Sequence, residues 1–277
     1  MISLGAAGVL TCALAACGGS TAGSGTPAGN TAASGGSSSS SDSSDSGGSV
    51  EPASSADDLA ATLKGALADP TTVHLTLATE GGSGAGASSN GEGDIRTGDG
   101  GKTEAFSIAV GSGSDNVTLV FVDDVGYVKL PASSQTDPSK PWAKVSENSS
   151  NPTVKGIAQA FELAQTNASL TQYGDIVAAA QGFKATGPTE VDGAEAQGYS
   201  FTVAATDLPG LAQYGDAAKD IGDIPITMAV DAQGRPVEIE QTITITGQAA
   251  ITSTTTLSKW GDDVDISAPP ADEISAG

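Results

Sequence analysis

Apolar residues recur along this chain at two different periods, and the switches between them divide it into elements. Leu59, Leu63, Ala66 and Leu67 repeat at helical spacing behind Ser55-Ala56-Asp57-Asp58, where a capping hydroxyl stands three residues before an acid. The run stops at Asp69-Pro70, so the spacing predicts an amphipathic helix over 57–68. Val73, Leu75 and Leu77 then alternate with polar neighbours, as do Phe106, Ile108 and Val110, and again Val117, Leu119 and Phe121. A period of two predicts half-buried antiparallel strands. The Gly/Ser-rich stretch 81–101 between the first two reads as a long hairpin connection with part of a strand around Asp94 to Thr97.

Gly126 to Leu130 and Pro141 to Val145 continue the strand pattern, and then the period lengthens. Val154, Ile157, Ala158, Phe161, Leu163 and Ala164 suit a helix over 152–165 opened at Pro152. Leu170, Tyr173, Ile176, Val177 and Ala180 suit a second over 170–181. Strands return at Ser200–Ala204, Pro225–Val230, Val237–Thr246, Ile251–Leu257 and Val264–Ile266, with Asp231-Ala232-Gln233-Gly234 as a turn. Helix, strands, two helices and more strands make an α+β fold: a strongly curved antiparallel sheet with helices packed in its concavity. Such a shape can hold a cavity.

The segment ahead of this domain follows neither period. Ile2 to Ala16 is an uncharged apolar stretch of signal-peptide length, and it ends in Leu14-Ala15-Ala16-Cys17-Gly18. This ending resembles the bacterial lipobox, in which the cysteine thiol takes a diacylglyceryl group and a peptidase cuts before it; the mature anchor then carries acyl chains such as palmitate. The resemblance makes residues 1–16 a signal peptide and Cys17 the lipidated first residue. The alternatives are an ordinary cleaved signal with a chance cysteine, or a short buried helix. The first Lys or Arg is Lys64, so the basic opening of the signal is expected upstream of Met1. About thirty buried methylenes at roughly 0.8 kcal/mol each make diacylglyceryl anchoring effectively permanent without a polybasic patch.

From Gly18 to Ser55 the chain is almost entirely Gly, Ser, Thr, Ala, Pro and Asn, which cannot build a core. Residues 17–56 are therefore expected to be a flexible linker with a typical reach of about 35 Å, and residues 57–277 one folded domain. With 33 acidic and 11 basic residues the formal charge is −22, a field that repels nucleic acid. The only cysteines, Cys12 and Cys17, lie in the leader, so no disulfide is expected to support the fold.

No catalytic site is expected, nor any metal or cofactor. His74 is the single histidine, which excludes a histidine dyad or a multi-histidine metal site, and it falls on the polar face of a strand as a solvated side chain. There is no Gly-x-Ser-x-Gly elbow, dinucleotide fingerprint or phosphate-binding loop. The pairs Asp123-Asp124 and Asp262-Asp263, and Asp265, lack the spacing of a calcium loop and read as turn residues. Trp142 and Trp260 can stack on a sugar or a lipid headgroup, but a core or rim role is the simpler reading.

Two regions together resemble the actinobacterial LppX/LprG lipoprotein family. One is Thr254-Thr255-Thr256-Leu257-Ser258-Lys259-Trp260-Gly261-Asp262-Asp263-Val264-Asp265-Ile266 with Pro269-Pro270 after it. The other is Val120-Phe121-Val122-Asp123 leading into Gly126-Tyr127-Val128-Lys129-Leu130 and Lys140-Pro141-Trp142. With the helix that opens into Val73-His74-Leu75, the likeness spans about 57 to 270. It implies a half-barrel related in shape to the Lol carriers, and an exported protein held by lipid at the outer face of the cell membrane. It further implies an apolar cavity that takes an acylated lipid or glycolipid and passes it across the envelope, with a membrane exporter as a possible partner. Phe106, Ile108, Leu119, Phe121, Phe201, Val203, Met228 and Ile243, each on the apolar side of an alternating run, are the candidate lining residues. The alternative is that all eight fill a core, which would make the protein a structural or signalling surface lipoprotein without cargo.

Overall fold

The computed structural model describes residues 52–81, 88–111, 116–135, 137–146, 154, 158, 161, 169–208, 211, 215–245 and 249–275. The leader, Cys17, the tether and most of the helix expected over 152–165 lie outside the described residues. Helix α1 (Ala56–Ala66) starts where the sequence pattern puts it: the Ser55 hydroxyl accepts a hydrogen bond from the Asp58 backbone N–H at 3.1 Å. Leu59, Ala60 and Leu63 are buried, and each leucine withdrawn from water contributes about 2 kcal/mol.

The strands are β1 (Thr71–Gly81), β2 (Ser88–Thr97), β3 (Thr103–Gly111), β4 (Val117–Val122), β5 (Val125–Lys129), β6 (Trp142–Lys144), β7 (Gln181–Val191), β8 (Ala194–Ala204), β9 (Asp223–Val230), β10 (Pro236–Ile243) and β11 (Ile251–Ser258). They form one antiparallel sheet in the order β6-β5-β4-β3-β2-β1-β11-β10-β9-β8-β7. The first and last strands pair in the middle, and two meanders run outward to edges that do not meet. The sheet is thus a half-barrel. Helix α2 (Gln172–Ala178) stands between the meanders in sequence and packs with α1 in the concavity, while a single turn, α3 (Asp216–Lys219), precedes β9.

The helices cross closely because Gly174 has no side chain: a Cβ there would lie 2.6 Å from Lys64 Cγ and 3.2 Å from the Ala60 carbonyl oxygen. Lys64 Nζ reaches Asp175 Oδ1 at 2.7 Å across the same contact, an exposed pair of small energetic weight. Phe161, in the segment leading to α2, sits over the bare backbone of Gly126, where a Cβ would meet its ring at 2.5 Å. Asp123 and Asp124 both have positive φ, 52° and 59°, and form the two-residue turn of the β4–β5 hairpin.

Three elements depart from the sequence reading. The strand expected only around Asp94 to Thr97 is the ten-residue β2, paired along β1 and β3. Gly93 is required there, since a Cβ on it would lie 2.2 Å from the Ser107 carbonyl oxygen. Backbone pairing, not apolar alternation, makes this strand. β7 was not expected because it is an edge strand whose side chains are mostly exposed. Val264–Ile266 is not a strand: the C-terminal segment crosses the convex face, where Ile266 is buried with Ala105, Val120, Val122 and Tyr127.

Candidate functional site

Alternation along the strands turns two groups of large apolar side chains into the concavity, where α1 and α2 cover them. On one wing Phe106 faces Phe121 and Ile108 faces Leu119 across the β3–β4 ladder. The rings of Phe106, Phe121 and Phe161 form a triangle with centroids 5.5 to 6.1 Å apart, so Phe161 is fastened to the sheet by aromatic contact. On the other wing Phe201 faces Ile226, Val203 faces Ile224, and Met228 lies between Tyr199 and Ile239. Ile243 ends this face against Ile251. All eight residues singled out from the sequence contribute to this one cluster; Phe121 is half-buried and the other seven are buried.

Under α2 the cover is incomplete. A cavity of about 30 Å³ opens between Tyr173 and Ile176 of α2, Ile226 and Met228 of β9, Ile239 and Gln241 of β10, and Ser253 and Thr255 of β11. That is room for a water-sized group, well below the 300 Å³ or more typical of small-molecule sites. Of the eight residues singled out from the sequence, Met228 lines this cavity. Burial pushes the Tyr173 phenol up to about 12, so it stays a neutral donor at physiological pH.

Gln241, Ser253 and Thr255 were not singled out, although a signal was present. They stand at the inward parity of otherwise apolar runs, Ile239-x-Gln241-x-Ile243 and Ile251-x-Ser253-x-Thr255-x-Leu257. Thr79, Ser253 and Gln241 form a buried polar row across β1, β11 and β10, with the Thr79 and Ser253 hydroxyls 3.4 Å apart.

The other candidates stand elsewhere. His74 lies on the convex face with Nδ1 2.8 Å from Asp94 Oδ1, so it is paired with a carboxylate and only partly exposed. Trp142 packs on the convex cluster with Lys129 Nζ 5.8 Å from its ring centre. Trp260 packs against the main core beneath the Arg235 guanidinium, 5.5 Å from the ring, and Arg235 is itself held by Asp231 at 2.7 Å. Among the described residues there is no cluster of three or more His, Cys, Asp or Glu side chains placed to hold a metal ion. No described helix is long and apolar enough to cross a membrane.

No protein-family model matches the sequence, and no curated protein sequence does. Solved structures do resemble the fold. The lipoprotein LppX of Mycobacterium tuberculosis aligns at 18% identity over 76% of this chain and 98% of its own, with a TM-score of 0.51. LprF of Mycobacterium bovis aligns at 17% identity over 77% and 96% of the two chains, with a TM-score of 0.46. A LolA superfamily protein of Nitrosomonas europaea aligns at 8% identity over 76% and 95%, with a TM-score of 0.29. This chain has the half-barrel fold of LppX.

Proposed function

We propose that this protein is an exported lipoprotein, anchored through Cys17 at the outer face of the cell membrane, that binds an acylated lipid or glycolipid against the concave face of its half-barrel and carries it across the envelope. The observation that carries the reading is the concave face itself, a wide apolar surface covered by short helices rather than by a second sheet. Helix contacts with the sheet can be exchanged for acyl-chain contacts at similar energy, because burial of apolar area is non-directional. About 800 Å² of buried lipid at roughly 25 cal/mol per Å² offers some 20 kcal/mol before ordering costs. The fold shared with LppX, a lipoprotein, supports the same reading. On it, the eight candidates from Phe106 to Ile243 are the wall that acyl chains touch once the helices shift, and a membrane exporter is the natural partner for delivery.

The burial of seven of these residues, with Phe121 half-buried, favours a second reading, a structural or signalling surface lipoprotein whose core stays filled. One experiment separates the two. The full chain carrying Cys17→Ser is purified, extracted with organic solvent and searched for copurified lipid by mass spectrometry; a fluorescent fatty-acyl probe is then titrated into the extracted protein. Copurified lipid and saturable probe binding are expected. Neither lipid nor probe binding overturns the carrier and leaves the filled core.

A further inference from the structure

The apolar wall of the cavity under α2 is interrupted by polar atoms that the fold itself does not use. Tyr173 is 7% exposed and Gln241 8%, yet among the described residues neither side chain has a hydrogen-bond partner. Neither is among the polar atoms sealed from water without a partner, so their unused hydrogen-bonding capacity is open to whatever enters the cavity they line. Beside them Ser253, 3% exposed, has only the long contact to Thr79, and the Thr255 hydroxyl stands one inward position further along β11. These groups come from three elements, α2, β10 and β11, and converge on one space.

We propose that Tyr173, Gln241, Ser253 and Thr255 form an internal hydrogen-bonding subsite that takes one uncharged ester carbonyl of an acylated cargo. The proposal rests on the lipid-carrier reading and adds what that reading lacks, a point on the wall that recognises something other than apolar area. The donor set selects the ligand class. The Gln241 amide N–H groups and the Tyr173, Ser253 and Thr255 hydroxyls all donate, which suits a carbonyl oxygen. Among the described residues the lining holds no Lys, Arg or His to neutralise a phosphate or a carboxylate, and an unpaired anion in an apolar site carries a large desolvation cost. The raised Tyr173 phenol does not ionise near neutrality, so it remains a donor. A volume of about 30 Å³ fits a carbonyl group and not a sugar, leaving the acyl chain to run along Ile226, Met228 and Ile239.

The test uses the full chain with Cys17→Ser, a bound fluorescent acyl probe, and three competitors of equal chain length: dodecane, methyl laurate and laurate at pH 7. Methyl laurate should displace the probe at about tenfold lower concentration than dodecane, the worth of one or two satisfied buried donors, with laurate weaker than the ester. Gln241→Leu should shrink the ester-to-alkane ratio to about twofold. Tyr173→Phe, which keeps the ring and its packing, should shrink it in the same direction and guards against misfolding of the leucine variant. A ratio near one in the parent chain, a ratio untouched by both variants, or laurate binding better than its ester overturns the subsite while the carrier reading stands. A probe that never binds the parent chain overturns both.

Discussion

Gly93 shows how much of this protein depends on single atoms. A Cβ there would meet the Ser107 carbonyl oxygen at 2.2 Å and Ile108 Cα at 2.6 Å, in the middle of the β2–β3 ladder. Gly93→Ala is therefore expected to lower stability by about 1–3 kcal/mol, the usual range for overpacking, measured by urea unfolding against the parent. A change below a few tenths would mean that the ladder can open there at no cost. Leu119 poses the opposite question, because it faces Ile108 and Val128 on the wing that would hold lipid. If that wing opens for cargo, Leu119→Trp fills ligand space, so copurified lipid should fall severalfold while the melting temperature stays within a few degrees. Loss of the folded state instead would make Leu119 a packed core residue. Cys17 belongs to the same scale: Cys17→Ser should release the protein from membranes or leave the precursor uncleaved, read by detergent partitioning and mass spectrometry.

At the scale of elements, α1 holds the cover in place. Ser55→Ala removes its cap and should cost about 1 kcal/mol at pH 7. Hydrogen bonds from Ser54 and Ser55 keep the Asp58 carboxyl below its ordinary 3.8, so their contribution is present above that value and fades as pH falls through the depressed one. The stability gap between parent and Ser55→Ala should accordingly narrow in acid, measured as urea midpoints at pH 7 and pH 3. Within the cover, α2 is proposed to be the moving part. Ile176 and Ile239 line one cavity from opposite sides, so cysteines at both positions, in a chain lacking Cys12 and Cys17, allow α2 to be tied to the sheet. The tie should slow exchange of a fluorescent acyl probe by tenfold or more, with recovery on reduction; unchanged exchange would assign the motion elsewhere.

For the whole molecule, an open half-barrel has two edges to protect. β7 is blunted by Gly182 and Gly187 at positive φ, by register shifts and by Pro188, which offers no N–H. β6 is guarded by the chain's end: Ile274 bridges to Trp142, and Ser275 donates from both its N–H, at 2.8 Å, and its hydroxyl, at 2.9 Å, to the Trp142 carbonyl. Deleting residues 271–277 should uncover that edge and shift the protein toward dimers or larger species in size-exclusion chromatography. The C-terminal segment thus acts as a strap over the convex face, which explains why Val264–Ile266 alternates like a strand without pairing as one.

What the sequence determined by itself was whatever depends on local period: the cap and stripe of α1, the apolar strands β1, β3, β4 and β9 to β11, and from their order the α+β class with a curved antiparallel sheet. The inward residues Phe106, Ile108, Leu119, Phe201, Val203, Met228 and Ile243 were legible for the same reason, because alternation fixes which side of a strand is buried. The tertiary structure decided everything that depends on neighbours distant in sequence. β2 is a strand because β1 and β3 supply its hydrogen bonds, although its glycines carry no apolar pattern, and β7 is one because β8 pairs it although most of its side chains are exposed. Tyr173 read only as a helix position, and Gln241 and Ser253 as interruptions of apolar runs. It took the register of β10 against β11 and the seat of α2 above them to bring those three together around one cavity.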